Sequence, residues 1–487
     1  MYEDLKKLEP SKVWGFFQEI LSIPRPSKKE EKIINYLLAF ARDRNLEALK
    51  DETGNVLIRK PATPGMENKK SVVLQSHVDM VCEKNSDKVH DFENDPIEAY
   101  VEDGWVKANG TTLGGDDGIG VAVELAVLDS KDIPHGPLEC LFTIDEETGL
   151  TGAFGLKPGF LKSEILINLD SEDEGQLFIG CAGGQDTLCW LPFKKEAAPD
   201  GLKSFKIMVS GLTGGHSGDD INKNRGNANK ILNRFLWLHK DKFKMKLSIF
   251  DGGNLRNAIA REAYAIVMLP AENMESLVAE AKAYEGIVRN EFHTTEPGLQ
   301  ISVTETEKPE TIIRDEDFTK LTQTLYACPH GVITMSQDIP NFVETSTNLA
   351  SVKFEDSEIV ITTSQRSSVE SEKWDVTNMI TSLFELAGGR TRTSEGYPGW
   401  KPNPDSEIVD ITERIYKELF EVQPKVLAIH AGLECGLIGD KYPKMDMVSY
   451  GPTIKGAHSP DERLEIESVQ KFWKLTLEVL RNIPDKK

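Results

Sequence analysis

The 487-residue sequence predicts an α/β protein in which one sheet domain is interrupted by an inserted α+β domain. Two observations carry this. Short apolar runs at Ser71–Gln75, Leu138–Ile144 and Ile165–Leu169 have the pattern of strands buried on both faces, and each stops abruptly at polar residues. From residue 204 to 395 the pattern changes to alternating strands and longer surface helices, after which the first pattern returns. The chain is too long for one core. The divisions expected are 1–200, 201–395 and 396–487.

Composition narrows the function classes. Lys and Arg number 57 against 79 Asp and Glu, a net charge of −22 with a pI near 5.0. That argues against nucleic acid and anionic membrane as partners. No apolar run reaches the roughly 18 residues of a membrane span. MYEDLKKLEP lacks the apolar core of a signal peptide, so a cytoplasmic location is expected. The six cysteines show no C-x-x-C and read as reduced thiols.

Taken in order, helices are expected at Ser11–Leu21 and Ser27–Arg42, the second opening with a capping box of Ser27 and Glu30 after the turn IPRPS. The run Ser71–Gln75 leads to His77 and Asp79, spaced so that both side chains share one face of extended chain. A carboxylate so placed can fix the tautomer of a ligating imidazole. A hairpin is expected near Ala99–Lys107. TTLGGDDGIG follows, where Asp116 and Asp117 precede a helix from about Ile119 to Leu128. Capping of that helix is one reading, since acidic groups suit a helix N-terminus; the glycines, which allow close approach of the backbone, favour a binding loop. The run Leu138–Ile144 ends in Asp145, Glu146 and Glu147, a bunching of charge that needs a cation or protons to offset it. Ile165–Leu169 ends in Asp170.

In the insert, GGNLRNAIAREAYAIVML at 252–269 is echoed by TSTNLASVKFEDSEIVIT at 345–362, which suggests two copies of a β-α-β-β-α-β unit. His216 stands in the Gly-rich LTGGHSGDD, and Arg366 ends a strand where its guanidinium can fork onto a carboxylate. Beyond the insert, Lys425–Ile429 runs into AGLECG, and Met445–Tyr450 into GPTIKGAHSP with His458.

Strand ends and adjoining loops thus offer His77 with Asp79, Asp116, Glu146 with Glu147, Asp170 and His458. Two imidazoles with several carboxylates suit zinc, manganese or cobalt and leave enough oxygens for two ions sharing a bridge. Such a pair activates water and polarises a carbonyl, and of two adjacent glutamates one can ligate while the other shuttles a proton. No G-x-S-x-G elbow is present, which argues against serine hydrolysis.

These motifs together resemble the M20 metallopeptidase clan, and within it the Xaa-His dipeptidase family. The residues that carry the resemblance are SHVDM at 76–80, TTLGGDDGIG at 111–120, TIDEETGLTGAFGL at 143–156, LINLDSEDEG at 166–175, GCAGG at 180–184, AIHAGLECG at 428–436 and GPTIKGAHSP at 451–460. The resemblance implies a di-metal aminopeptidase-like α/β domain with an inserted α+β lid. It implies two divalent ions per subunit, zinc first with manganese or cobalt compatible: His77, Asp116 and Asp170 on one, and Asp116, Glu147 and His458 on the other. Glu146 would be the general base, with Asp79 orienting His77. His216 would stabilise the oxyanion and Arg366 bind the substrate's C-terminal carboxylate, with Asn254, Gly432 and Glu434 as further pocket candidates. Asp117 receives no role. The implied substrate is a small unblocked dipeptide of Xaa-His type, including β-Ala-His. An N-acyl amino acid deacylase or a tripeptide aminopeptidase would keep the same metal residues, and a metal-dependent binding protein would have no need of Glu146. In smaller clan members one lid unit pairs across a dimer; a two-copy lid can satisfy that pairing within one chain, so a homodimer is compatible but not required.

Overall fold

The computed structural model describes residues 5–486. They form two compact units. One comprises the chain up to Gly180, Pro402–Ala428 and the part from Leu433 onward; the other comprises Cys181–Lys401 and Ile429–Gly432.

The first unit is built on an eight-stranded sheet in the order Glu47–Lys50, Val56–Lys60, Leu138–Thr143, Val72–His77, Ile165–Asn168, Asp446–Ser449, Gln176–Cys181 and Lys425–Ile429. The middle four strands are parallel and the flanking pairs Val56–Lys60 and Gln176–Cys181 run antiparallel to them. Every residue of Val72–His77 and of Leu138–Thr143 is buried, as the unbroken apolar runs require. Fully buried side chains such as Val73 and Leu74 are each worth roughly 1.5–3 kcal/mol, and that burial holds the end of the strand, where His77 sits, in place. The parallel strands deliver their carboxyl ends to one edge of the sheet, where an open α/β sheet collects its ligands. Helix Gly115–Asp129 is buried from Gly115 to Leu128 and packs against helix Ser11–Leu21.

Two local expectations fail for physical reasons. The second helix spans Glu31–Asp43, not 27–42, and no side chain caps it. Ser27 donates instead to Asp79 at 2.7 Å, and the Glu30 carboxylate accepts from the backbone N–H groups of Lys28 and Asp145. Both members of the expected box are drawn into tertiary bonds. The sequence also predicts a helix over Ile221–Leu238; the structure has it at Ala228–His239, where Asn227 caps it by accepting from the Lys230 N–H.

The second unit carries a nine-stranded sheet whose main path runs Gln300–Glu305, Leu202–Ser210, Ala263–Pro270, Lys246–Gly252, Val343–Phe354, Glu358–Ser367, Gly183–Pro192 and Arg390–Thr393, with Gly331–Met335 on Val343–Phe354. Two β-α-β-β-α-β copies compose it. The first is contiguous, with helices Ala228–His239 and Met274–Glu291. The second uses helices Asp315–Ala327 and Glu370–Leu386, and its opening strand is Gly183–Pro192, which precedes the whole of the first copy. One copy is therefore spliced into the other. Their second strands meet antiparallel at the centre, Gly252 opposite Val352, so the path reads 4-1-3-2 and then 2-3-1-4. Strands Glu47–Lys50, Gln176–Cys181 and Gly183–Pro192 were absent from the sequence expectation. The last two are polar and glycine-containing, which masks a strand's alternation.

Candidate metal centre

The first unit assembles seven of the expected residues. His77 Nε2 lies 3.0 Å from Asp116 Oδ1 and 3.6 Å from Asp170 Oδ1. His458 Nε2 lies 3.2 Å from Asp116 Oδ2 and 3.0 Å from Glu147 Oε2. Asp116 thus turns one oxygen to each imidazole. Ligand atoms of His77, Asp116 and Asp170 all fall within 4.8 Å of one another, as do those of Asp116, Glu147 and His458. Glu146 lies within the same distance of His77 and Glu147.

Asp79 supports this set from behind. Its Oδ1 is 3.3 Å from His77 Nδ1, so Nε2 is the nitrogen turned to the cluster. The same carboxylate accepts from Ser27 Oγ and from the backbone N–H groups of Glu146 and Glu147 at 3.0 and 3.2 Å. One buried carboxylate therefore fixes a histidine and the short helix Glu146–Gly149 together. Asp116 and Asp117 depart from helical φ/ψ inside the helix Gly115–Asp129, and the residue that caps it is Gly114, at φ 70°. Asp117 Oδ1 accepts from the Gly120 N–H at 3.1 Å and so caps the regular part of the helix, as the capping reading expected, while Asp116 faces the two imidazoles.

The electrostatics follow from crowding charges away from water. Burial disfavours the His77 imidazolium, but Asp170, Asp116 and Asp79 raise its pKa well above the usual value. Hydrogen bonds to Asp116 and Glu147 push His458 up to about 11. Burial would raise the Asp116 carboxyl, yet His458 and His77 overcome it and hold it far below the carboxylate range. Asp170 and Glu146 are raised well above that range, by burial first and then by neighbouring carboxylates. The site concentrates negative charge and attracts cations.

The donor set fits two divalent ions. Imidazole nitrogen and carboxylate oxygen are the ligands that zinc-like ions take, Asp116 belongs to both three-residue sets, and Glu147 Oε1 is buried with no hydrogen-bond partner.

The second unit brings His216 and Arg366 together. Arg366 Nη2 lies 3.4 Å from His216 Nε2, Nε donates to Ser217 Oγ at 3.4 Å, and Nη1 donates to the Tyr397 hydroxyl at 3.1 Å. Arg366 is 7% exposed, and within this unit no carboxylate lies at ion-pair distance from it among the described residues. A buried cation without a fixed counter-charge is costly and suits an anionic ligand. Gly432 joins this group through Tyr397: a Cβ at Gly432 would stand 2.7 Å from the ring. Asn254 does not join it; it is exposed and accepts from Lys353 Nζ at 3.0 Å. Nor does Glu434 line an open pocket. It begins the helix Glu434–Lys441 in the first unit, fully buried, and accepts from Gln75 Nε2 and Thr143 Oγ1 at 2.6 Å each. Burial pushes its carboxyl up to about 7.

The sequence matches the family model of Peptidase family M20/M25/M40 over residues 73–482. The chain belongs to this family. Among curated M20 relatives, the Escherichia coli (strain K12) cytosol non-specific dipeptidase is 45% identical over 483 residues, covering 99% of this chain and 100% of that one. The crystal structure of aminoacylhistidine dipeptidase from Vibrio alginolyticus superposes with a TM-score of 0.94 at 46% identity, over 100% of this chain and 99% of that chain. Aminopeptidase PepT from Bacillus cereus, at 16% identity and a TM-score of 0.57 over 98% and 99% of the two chains, shares the fold. The M20 fold predicted from the motifs is thus the fold observed.

Two further buried residues, which escaped the sequence reading, brace the loops that carry this cluster. Arg25, 1% exposed, donates to the carbonyls of Val78 and Asp79 and to that of Gly114, tying the His77 loop to the Asp116 loop. Glu462 accepts from the N–H groups of Leu113, Gly114 and Gly115 at 2.7, 3.0 and 2.7 Å, and from Asp116 at 3.3 Å. An arginine set between two prolines, and a glutamate four residues after His458, were the available signals.

Proposed function

We propose that this protein is a metal-dependent dipeptidase that hydrolyses unblocked dipeptides, Xaa-His substrates including β-Ala-His among them. The observation that supports this most directly is the pair of three-ligand sets sharing Asp116, with Glu146 beside them. It occurs in a chain 45% identical along its length to a protein named a dipeptidase. The Xaa-His preference rests on the name of the Vibrio alginolyticus relative, and the cytoplasmic location on that of the E. coli relative together with the lack, among the described residues, of any helix long and apolar enough to cross a membrane.

On this reading His77, Asp116 and Asp170 hold one ion, and Asp116, Glu147 and His458 the other; zinc suits the set, and manganese or cobalt also would. When bound, two such ions would supply the chemistry of lowering a water's pKa and polarising a carbonyl. Glu146 accepts the proton of that water and returns it to the leaving amine. Asp79 keeps His77 Nε2 turned inward, the role a carboxylate plays behind a ligating imidazole. Arg366, buried and without a counter-ion in its own unit, takes the free carboxylate of the substrate, and His216 beside it donates to the carbonyl that becomes the oxyanion.

The test is hydrolysis of β-Ala-His, Ala-His, Gly-Gly, Leu-Gly-Gly and N-acetyl-methionine by protein reconstituted with zinc, manganese or cobalt. Cleavage confined to the dipeptides is expected, fastest with His in second place. Cleavage of the tripeptide or the acetylated substrate alone would overturn the substrate class and keep the metal site. No cleavage with any metal would overturn catalysis itself.

A further inference from the structure

We propose that Tyr397 is a second donor to the substrate's C-terminal carboxylate, working beside Arg366 and setting the preference for free peptides over blocked ones. The inference deepens the dipeptidase reading and rests on it.

Arg366 Nη1 donates to the Tyr397 hydroxyl at 3.1 Å. An arginine has no acceptor, so the phenol oxygen must be receiving, and its own hydrogen is left to donate elsewhere. Among the described residues of this unit no acceptor takes that hydrogen. The side-chain partners of Arg366 are His216, Ser217 and the phenol, none of them a carboxylate. A guanidinium and an O–H that share a hydrogen bond and each retain donor capacity form a two-donor group suited to one anion. A carboxylate can accept from both at once, and hydrogen bonds to a charged acceptor are the strong ones.

The fold fixes the ring for this purpose. Tyr397 exchanges backbone hydrogen bonds with Gly184, at 2.9 and 3.1 Å, and Lys373, 2% exposed, donates to its carbonyl at 2.8 Å. The ring lies flush on two glycines: a Cβ at Gly184 or at Gly432 would come within 2.7 Å of it. This accounts for small residues at both places. The GCAGG motif supplies Gly184 and the AGLECG motif supplies Gly432. A tyrosine needed only to fill space would not demand that both neighbours lack side chains while its oxygen meets a buried cation.

The experiment compares kcat/KM for Ala-His and for its C-terminal amide in wild type, Tyr397→Phe and Arg366→Gln, with zinc content and Tm measured on each preparation. The wild type is expected to prefer the free acid. In Tyr397→Phe that acid-over-amide ratio should fall about ten- to hundredfold, the range of a lost hydrogen bond to a charged group, mainly through KM and with zinc content and Tm held. Gly432→Ala, which displaces the ring but keeps the hydroxyl, should lower the same ratio. If Arg366→Gln abolishes the preference while Tyr397→Phe keeps the wild-type ratio, the tyrosine role is overturned and the carboxylate site stands. If the wild type itself does not distinguish acid from amide, or Arg366→Gln retains the preference, the underlying assignment fails and the tyrosine role with it.

Discussion

The Glu462 carboxylate is wrapped by the backbone N–H groups that lead into Asp116, although the two residues lie 346 positions apart in the sequence. Glu462 also follows His458 by one turn of loop. It therefore joins the loop of one imidazole to the loop of Asp116, touching the latter only through its backbone N–H. Glu462→Ala leaves buried N–H donors without an acceptor, a cost of roughly 3 kcal/mol. Urea denaturation should show that loss, with weaker zinc retention on dialysis. A change below about 0.5 kcal/mol would mean that water satisfies these donors as well as the carboxylate does.

Glu146 is the member of the acidic pair that is not needed to complete either Asp116-sharing set. Glu146→Gln should keep near-normal metal content and lower kcat by about a hundred- to ten-thousandfold, the usual contribution of a general acid–base group. Activity within tenfold of wild type would remove it from that role.

Asp116 serves both sets, whereas His458 serves one. Elemental analysis after dialysis should find two ions in the wild type, one in His458→Ala, and near none in Asp116→Ala. Two ions retained in Asp116→Ala would refute the bridge. Asp79→Asn, which keeps shape but removes charge behind His77, should lower metal affinity or activity about ten- to hundredfold.

His430 sits in the second unit, 6% exposed, with Nε2 2.7 Å from Ser346 Oγ. Burial, with the Arg366 guanidinium nearby, pushes its pKa down to about 3. The unfolded chain, with a histidine near 6.5, binds a proton that the folded chain refuses between those values. Stability is therefore unaffected above pH 6.5 and lost as pH falls below it, by on the order of 3 kcal/mol at pH 4. His430→Asn should flatten that part of the stability curve. An unchanged acid limb would show that other groups carry it.

Most of the first unit could be read in the sequence because its strands are buried on both faces and stop at polar residues. His77, Glu146, Glu147 and Asp170 were found that way, and the structure places them together. Ser27 misled because its hydroxyl suits a helix cap and a carboxylate equally well; only the packed structure shows that Asp79 receives it. Arg25, Glu462 and Tyr397 act on backbone groups or on another side chain distant in sequence, and no local periodicity registers such a bond. Glu434 looked like a loop residue because its glycines suggest a turn, yet it opens a helix and is sealed under Gln75 and Thr143.

The spliced order of the two copies sets a timetable for synthesis. Leu202–Ser210 through Gln300–Glu305 is a contiguous copy and can close as it leaves the ribosome. Gly183–Pro192 emerges earlier still, but its partners, Glu358–Ser367 and Arg390–Thr393, come only after that entire copy. At about 5–20 residues per second the strand waits on the order of ten seconds or more with both edges bare. Its glycines and the charge of Asp186 are then the features that keep a nascent edge from pairing with the wrong neighbour.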